Sequence, residues 1–149
     1  MNHESYDDAL IRRILRETKR IALVGASANE ARPSWIVTKY LIERGYDVVP
    51  VNPGLAGKTV VGKTVYASLK DVPGPVDMVE IFRNSEAAGP LTDEALALDP
   101  LPKVIWTQLA IRHDEAAAKA EAAGIKVVMD RCPAIEFGRL GARIEVPAA

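Results

Sequence analysis

The residues IALVGASANEARPSW, at positions 21–35, hold the clearest signature of the architecture. They begin as an apolar strand, reach Gly25 and pass through Pro33 and Ser34 into a helical pattern. Glycine permits a tight turn, and backbone amides at a following helix N-terminus can face an anion. The stretch therefore predicts a phosphate-binding strand–loop–helix unit, although Ser27 and Glu30 replace the second and third glycines of a dinucleotide fingerprint.

Apolar runs and helical patterns alternate along the rest of the chain. A helix over residues 5–18 precedes the first strand, and four more apolar runs follow it: YDVVPVNP, VDMVEIF, KVIWTQL and IKVVMD. Pro50 cannot donate a ladder hydrogen bond, which predicts an edge position or a bulge for the second strand. Runs that are apolar on both faces and separated by helices predict a single-domain α/β fold. We expect a Rossmann-like, doubly wound, three-layer arrangement with a mainly parallel five-stranded sheet.

Local signals also predict where the helices begin and end. Ser34 is a candidate N-cap for a helix whose apolar stripe includes Ile36 and which stops at Gly45. Pro90 fits the first turn of a helix that runs to about Leu98. A further helix is expected from about Asp114 to Gly124, and Ser68 begins a short helical turn.

Composition narrows the class of function. The 149 residues are 48% hydrophobic and 26% charged, which is ordinary for a soluble globular domain. The net charge of −1, without a dense Lys/Arg block, argues against a nucleic-acid surface, and no apolar run approaches the ~20 residues of a membrane span. The polar N-terminus does not resemble a secretory signal, so a cytoplasmic protein is expected. A single cysteine, Cys132, allows no internal disulfide and no thiolate metal site by itself.

Polar and cationic residues follow the first three strands, at the edge where ligands bind in such sheets. After the first strand, the amides of residues 25–27, Ser27, Ser34 and Arg32 suit phosphate oxygens. Alternatively, Gly25 only makes the turn, Ser34 only caps and Arg32 is solvated.

The second and third strand ends leave two interpretations each. Asn52 and Pro53 stand where NAD-binding domains usually carry a carboxylate, and Lys58 follows, which favours an additional phosphate over a bare ribose. A plain β-turn explains the same residues. Phe82 could lie against adenine and Arg83 could meet phosphate; alternatively, Phe82 belongs to the core and Arg83 pairs with Glu86.

Catalytic motifs are weak. GASAN, residues 25–29, resembles a nucleophile elbow but has Asn29 where the second glycine belongs. His3 is expected in a frayed terminus, and His113 is expected to cap a helix rather than bind a metal. Cys132 is either a buried, inert thiol or a thiol that meets a ligand thiol beyond the fifth strand. No catalytic residue and no metal site is predicted.

Several ordered motifs together resemble one family: VGAS…RPSW…YL…GYDVVPVNP, YASLKDVPGPVDMVEIFRNSEA, VIWTQLAI and GIKVVMDRCPAIE. They are similar to the small single-domain CoA-binding proteins and to the CoA-binding domain of the succinyl-CoA synthetase α subunit. The resemblance covers about residues 10–140 and implies one Rossmann-like domain, residues 1–149, that binds coenzyme A or an acyl-CoA. The ligase half of the synthetase, with its phosphorylated histidine, is missing, so the resemblance implies binding without catalysis.

The resemblance carries ligand-binding roles onto matching positions. These are the first phosphate loop (Gly25, Ala26, Ser27), its Arg-Pro-Ser element (Arg32, Ser34), the second-strand turn (Asn52, Pro53), the third-strand end (Phe82, Arg83) and the last motif, which holds Arg131 and Cys132. The chain departs from the pattern at Ala110, where glycine is expected, and at Gly89, where an apparent insertion precedes Pro90.

Other functions remain open on the sequence alone. Cys132 could serve an acyl-CoA-dependent enzyme as nucleophile, although no base is evident, or a redox sensor that forms a mixed disulfide with CoA. An NAD(P)- or flavin-binding module is a further alternative. The opening helix and the loop at 54–66 are the candidate surface of a homodimer.

Overall fold

The computed structural model describes residues 2–141. Five α-helices occupy these residues: α1 Asp8–Glu17, α2 Pro33–Glu43, α3 Ser85–Leu96, α4 Asp114–Ala122 and α5 Pro133–Leu140. The strands are β1 Arg20–Val24, β2 Asp47–Val51, β3 Thr59–Val60, β4 Lys63–Thr64, β5 Met78–Ile81, β6 Val104–Thr107 and β7 Lys126–Val128. Short 3-10 turns cover Pro53–Leu55 and Leu69–Asp71, the second with Ser68 as its N-cap residue. None of the helices in this part of the chain has the length and apolar character of a membrane span.

The main sheet has five parallel strands in the order β2-β1-β5-β6-β7. β3 and β4 form a separate antiparallel pair. The order reverses between β1 and β5, which makes the carboxyl ends of these two strands the topological switch point of the sheet. The expected Rossmann-like α/β fold is confirmed, and β2 lies at an edge, as Pro50 predicted.

Helices cover both faces of this sheet, which is why its strands are apolar on both sides. One buried cluster joins α1, α2 and α5 to the sheet and includes Leu15, Leu41 and Trp106. The other joins α3 and α4 to the opposite face and includes Ile81 and Ala120. The two helical layers and the sheet between them form the predicted three layers.

The predicted starts of α2 and α3 are wrong, and so is the prediction that Ile36 belongs to the apolar stripe of α2. Arg32 is the N-cap residue of α2 and Pro33 its first residue, so Ser34 lies buried inside the first turn and caps nothing. α3 begins at Ser85 because the Asn84 side chain accepts a hydrogen bond from the Ala87 amide, and Pro90 therefore lies in the helix interior. Ile36 does not join the apolar stripe of α2, since 52% of it is exposed.

The N-terminal segment is held against the last strand rather than frayed. The His3 ring contacts the Tyr6 hydroxyl at 2.6 Å through Nδ1 and the Glu121 carboxylate at 2.6 Å through Nε2. Tyr6 Oη accepts a hydrogen bond from the Met129 amide, just after β7, at 2.9 Å. The contacts with Glu121 and Met129 each span more than a hundred residues of sequence and lie beyond the reach of local patterns.

Candidate functional site

A cleft of about 610 Å³ opens at the carboxyl edge of the sheet, at the switch point between β1 and β5. Its walls are the loop after β1, the first turn of α2, the turn after β2 and Phe82, which follows β5. Arg32 and Asn52, from two different strand–helix connections, both line it. The structure thus brings together most of the residues singled out in the sequence.

Gly25 sets how closely the β1 loop approaches β5. Its φ is +96°, and a Cβ at this position would lie 2.3 Å from the carbonyl oxygen of Phe82. A side chain here would meet both an unfavourable left-handed backbone and a fixed carbonyl. The glycine is therefore required by close backbone contact, whatever binds above it.

The backbone amides of the β1 loop divide into two groups. The amides of Gly25 and Ala26 donate to the Val51 carbonyl, at 2.9 and 3.3 Å, so the prediction that they face an anion is wrong. Their position is fixed instead by the neighbouring end of β2. Among residues 2–141, the amides of Ser27 and Ala28 in the loop and of Ser34 in the first turn of α2 have no protein partner. In the described part of the chain, these three are the backbone donors of the cleft that are available to an anion.

Charge in the cleft favours an anion. Arg32 is exposed at the N-terminus of α2 and forms no ion pair within the described part of the chain. No Asp or Glu of residues 2–141 lines the cleft. The partial positive charge of a helix N-terminus adds to that of the guanidinium, so phosphate oxygens would find both charge and hydrogen-bond donors here.

Asn52 shapes the cleft by joining two loops. Its Nδ2 donates to the Ala26 carbonyl at 2.7 Å, and its Oδ1 accepts from the Gly54 amide at 2.8 Å. Pro53 begins the short turn that follows. Lys58 is exposed, and neither Lys58 nor Pro53 contributes to the cleft wall.

Phe82 and Arg83 lie beside the β1 loop. Phe82 is half-buried, packs against the core and is one of the residues that line the cleft. The Arg83 Cδ lies 3.2 Å from where a Cβ on Gly25 would be, so the side chain runs across the loop. Within residues 2–141 Arg83 forms no ion pair with Glu86, and its guanidinium remains available.

Arg131 and Cys132, the residues of the last motif, stand outside the cleft wall. The Arg131 guanidinium lies 4.9 Å from the centre of the Tyr6 ring and donates to the Asp130 carbonyl at 2.8 Å. It is therefore directed to the N-terminal segment. Cys132 is 5% exposed and is the N-cap residue of α5. It belongs to the same buried cluster as Ala26, which lines the cleft, and Phe82 packs against that cluster.

The two departures from the family pattern have physical correlates. Ala110 adopts a φ of +67°, a conformation that favours glycine, and its amide donates to the Asp130 carboxylate at 2.6 Å. A Cβ on Gly89 would lie 3.0 Å from His113 Nε2, so this helical glycine makes room for the ring. His113 is a helix cap, as expected: its Nδ1 accepts from the Ala116 amide at 3.0 Å.

One residue that the sequence reasoning missed is Glu80, in the middle of β5. It is completely buried, and neither carboxylate oxygen has a hydrogen-bond partner in the described part of the chain. Burial raises the pKa of Glu80 well above its usual range, and Cys132 raises it further. An acidic residue inside the apolar run VDMVEIF was the available signal. Among residues 2–141, no group of three or more metal-binding side chains comes together.

A second hollow, of about 380 Å³, lies at the opposite edge of the sheet and includes Thr18, Asp77 and Gly124. It is bordered by the C-terminal ends of α1 and α4, whose carbonyl groups disfavour an anion. The cleft at the carboxyl edge is therefore the candidate site for a phosphate-bearing ligand.

Comparison with known proteins agrees with this geometry. Residues 19–138 match the family described as "CoA binding domain". The chain belongs to this CoA-binding family. Protein YneT of Bacillus subtilis (strain 168) is 37% identical over 124 residues, which cover 83% of this chain and 89% of YneT. A solved structure from Thermus thermophilus is 40% identical with a TM-score of 0.85, covering 91% of this member of the family and all of the other chain.

A more distant likeness concerns the fold alone. The dinucleotide-forming acetyl-coenzyme A synthetase 1 of Ca. Korarchaeum cryptofilum is 21% identical with a TM-score of 0.61. The match covers 78% of this chain and 26% of the synthetase chain. The expected likeness to CoA-binding synthetase domains is thereby confirmed at the level of architecture.

Proposed function

We propose that the chain binds coenzyme A, free or acylated, in the cleft at the carboxyl edge of its sheet, without turnover of its own. The observation that supports this most directly concerns residues 2–141: one cleft combines amides without a protein partner, an Arg32 without an ion pair and a wall without carboxylates. Membership of the CoA-binding family makes CoA the phosphate-bearing ligand to test first.

The diphosphate of CoA is the group that the first turn of α2 suits. The free amides of Ser27, Ala28 and Ser34 would donate to its oxygens, and Arg32 would add a planar pair of charged donors. Gly25 and Ala26 contribute by allowing close approach rather than through their amides, which are already bonded to Val51.

The adenosine end fits the turns after β2 and β5. Phe82 would offer an apolar surface to adenine, and Asn52 and Pro53 would hold the turn beside it. The turn carries no acidic side chain, which favours a ligand with a 3′-phosphate over the ribose diol of NAD. Arg83, and Lys58 more remotely, are the cations on this side. Arg131 and Cys132 stand outside the cleft wall, so a contact between the ligand thiol and Cys132 is carried over from the resemblance alone.

Calorimetry on ligand-free protein tests this proposal. CoA should bind more tightly than NAD, and more tightly than dephospho-CoA, which lacks the 3′-phosphate. Arg32→Ala should weaken CoA binding by about 1.5–3 kcal/mol, or about 10- to 150-fold, since a charge-assisted hydrogen bond is lost. Arg13→Ala is the matched control and should leave affinity unchanged, because Arg13 is exposed on α1 and its ion pair is with Glu17, away from the cleft.

Two results would contradict the proposal: no heat of CoA binding to the stripped protein, or equal affinities for Arg32→Ala and Arg13→Ala. Preference for NAD or a flavin over CoA would instead support the nucleotide-cofactor alternative. Steady consumption of an acyl-CoA that stops in Cys132→Ser would establish the enzymatic alternative.

A further inference from the structure

Large apolar side chains are exposed mainly at one edge of the sheet. Among residues 2–141, four of them are 40–57% exposed: Ile36, Leu101, Leu109 and Ile135. Leu101 precedes β6 and borders the hollow at the amino edge. The other three stand at the carboxyl edge, where the cleft opens: Ile36 in the first turn of α2, Leu109 just after β6 and Ile135 in the first turn of α5. A single exposed apolar side chain is ordinary, whereas a group beside a cleft indicates a contact surface.

Ile36 lies between the cleft and α5. Pro33, Ile36 and Tyr40 are spaced by three and four residues, so they share one side of α2. Pro33 lines the cleft. Tyr40 faces α5, because its ring centre lies 6.2 Å from that of Phe137 and its hydroxyl lies 3.6 Å from where a Cβ on Gly138 would be. Ile36 is one helical turn nearer the carboxyl edge than this contact, and its exposure shows that α5 does not cover it.

Ile135 and Leu109 continue this apolar surface away from α2. The loop after β6, which holds Leu109, is joined to the segment that leads into α5, because the Ala110 amide donates to the Asp130 carboxylate at 2.6 Å. In the sheet β6 lies two strands from β1, or about 10 Å away. Ile36, Ile135 and Leu109 therefore extend from the start of α2 across the carboxyl edge. We call these three residues the apolar strip.

An anion-binding cleft beside an apolar strip suits a ligand with one anionic end and one apolar end. In CoA the diphosphate is attached to the pantetheine arm, which carries two methyl groups near the diphosphate and the thiol at its far end. A diphosphate at the first turn of α2 would place those methyl groups beside Ile36. The far end of the arm, where acyl-CoA carries its acyl group, would then extend toward Ile135 and Leu109.

We propose that the apolar strip binds the pantetheine arm and the acyl chain of an acyl-CoA, so that an acyl-CoA with an apolar chain, and not free CoA, is the preferred ligand. This inference rests on the proposed CoA binding in the cleft. Each methylene that the chain buries against the strip raises the affinity by about fourfold. Because an open strip covers only part of the chain, we expect octanoyl-CoA to bind about 10- to 50-fold more tightly than acetyl-CoA.

Calorimetry with CoA, acetyl-CoA and octanoyl-CoA tests the strip. For wild-type protein the affinity should rise with the length of the acyl chain. The double variant Ile135→Ser/Leu109→Ser should lose most of this preference, so that octanoyl-CoA and acetyl-CoA bind within about threefold of each other. Leu101→Ser is the matched control and should keep the wild-type preference, because Leu101 is also exposed but lies at the opposite edge. Arg32→Ala should weaken the binding of all three ligands and keep the preference.

Each outcome distinguishes the strip from the cleft. If CoA binds but octanoyl-CoA binds no more tightly than acetyl-CoA, the strip is refuted and the proposed function stands. A preference that survives the double variant, or that Leu101→Ser abolishes, would place the chain elsewhere and refute the strip as well. If neither CoA nor an acyl-CoA binds, the proposed function fails and this inference fails with it.

Sedimentation of the ligand-free protein tests the other possible occupant of the strip, a second copy of the chain. We expect wild type and the double variant Ile135→Ser/Leu109→Ser to have the same molecular mass in solution. A wild-type dimer that the double variant dissociates would identify the strip as a surface between two copies and overturn the proposal.

Discussion

Replacing Gly25 by alanine tests the tightest backbone contact of the candidate site. The added Cβ would sit 2.3 Å from the Phe82 carbonyl oxygen, against 3.4–4 Å for ordinary contact, so the β1 loop or the end of β5 must move. A left-handed alanine costs ~1–2 kcal/mol and overpacking ~1–3 kcal/mol, offset by ~0.4–1 kcal/mol from a less flexible unfolded chain. We expect a net loss of about 1.5–4 kcal/mol in the free energy of unfolding.

Urea-induced unfolding, followed by tryptophan fluorescence, measures this loss. With a slope of ~2 kcal/mol per M, the urea midpoint should fall by about 0.8–2 M. Gly57→Ala is the matched control, because Gly57 has a similar φ of +81° but nothing within 4 Å of the added Cβ. The Gly57→Ala variant therefore has the backbone strain without the steric clash, and its free energy of unfolding should fall by about 1 kcal/mol or less. Equal midpoints for the two variants would refute the argument that contact with Phe82 makes Gly25 necessary.

Three further changes probe features outside the cleft wall. The raised pKa of Glu80 means that the folded state holds a proton which the unfolded chain releases, so Glu80 lowers stability as pH rises above ~4.3. The free energy of unfolding of Glu80→Gln, measured with urea, should therefore rise relative to that of wild type between pH 5 and 7, by at most about 1.4 kcal/mol per pH unit. A difference that stays constant with pH would contradict this. Tyr6→Phe should lose about 1–2 kcal/mol and speed hydrogen exchange at Met129, since that amide loses its acceptor; unchanged exchange would show that the contact is unimportant. Ala110→Gly should raise the free energy of unfolding by about 0.5–1 kcal/mol, because its φ of +67° favours glycine, and a lower melting temperature would contradict it.

The fold was largely predictable because its signals are local and repeated. Each strand is a short apolar run, and the missing N–H of Pro50 places β2 at the edge. The helix starts were less predictable, since two rules competed for the same segment. α3 begins directly after the Asn84 cap, so Pro90 lies in the helix interior and not in the first turn. α2 begins at Pro33, one residue before Ser34, so Ser34 lies inside the helix and does not cap it.

The candidate site was predictable only in part. Arg32 and Asn52 share a cleft because the carboxyl ends of neighbouring parallel strands meet, which the strand pattern predicts. The Val51 carbonyl, however, accepts hydrogen bonds from the amides of Gly25 and Ala26. These bonds depend on how the loop after β1 meets the end of β2 in space. The surroundings of Glu80 are likewise tertiary: a glutamate in a strand could equally face solvent until the covering helices are known.

Backbone contacts beside the two edge strands of the sheet, β2 and β7, restrict how copies of this chain can associate. Beyond β2, the Tyr66 backbone amide donates to the Pro50 carbonyl, and the Tyr66 carbonyl accepts from the Asn52 amide. At the other edge of the sheet, the Tyr6 hydroxyl accepts a hydrogen bond from the amide of Met129, the residue after β7. These contacts cover the carboxyl end of each edge strand, where a second molecule would otherwise find free backbone groups to pair with. Any dimer should join through helix faces or loops and leave each sheet five strands wide, so that assembly would not lengthen the ladder into a ten-stranded continuous sheet.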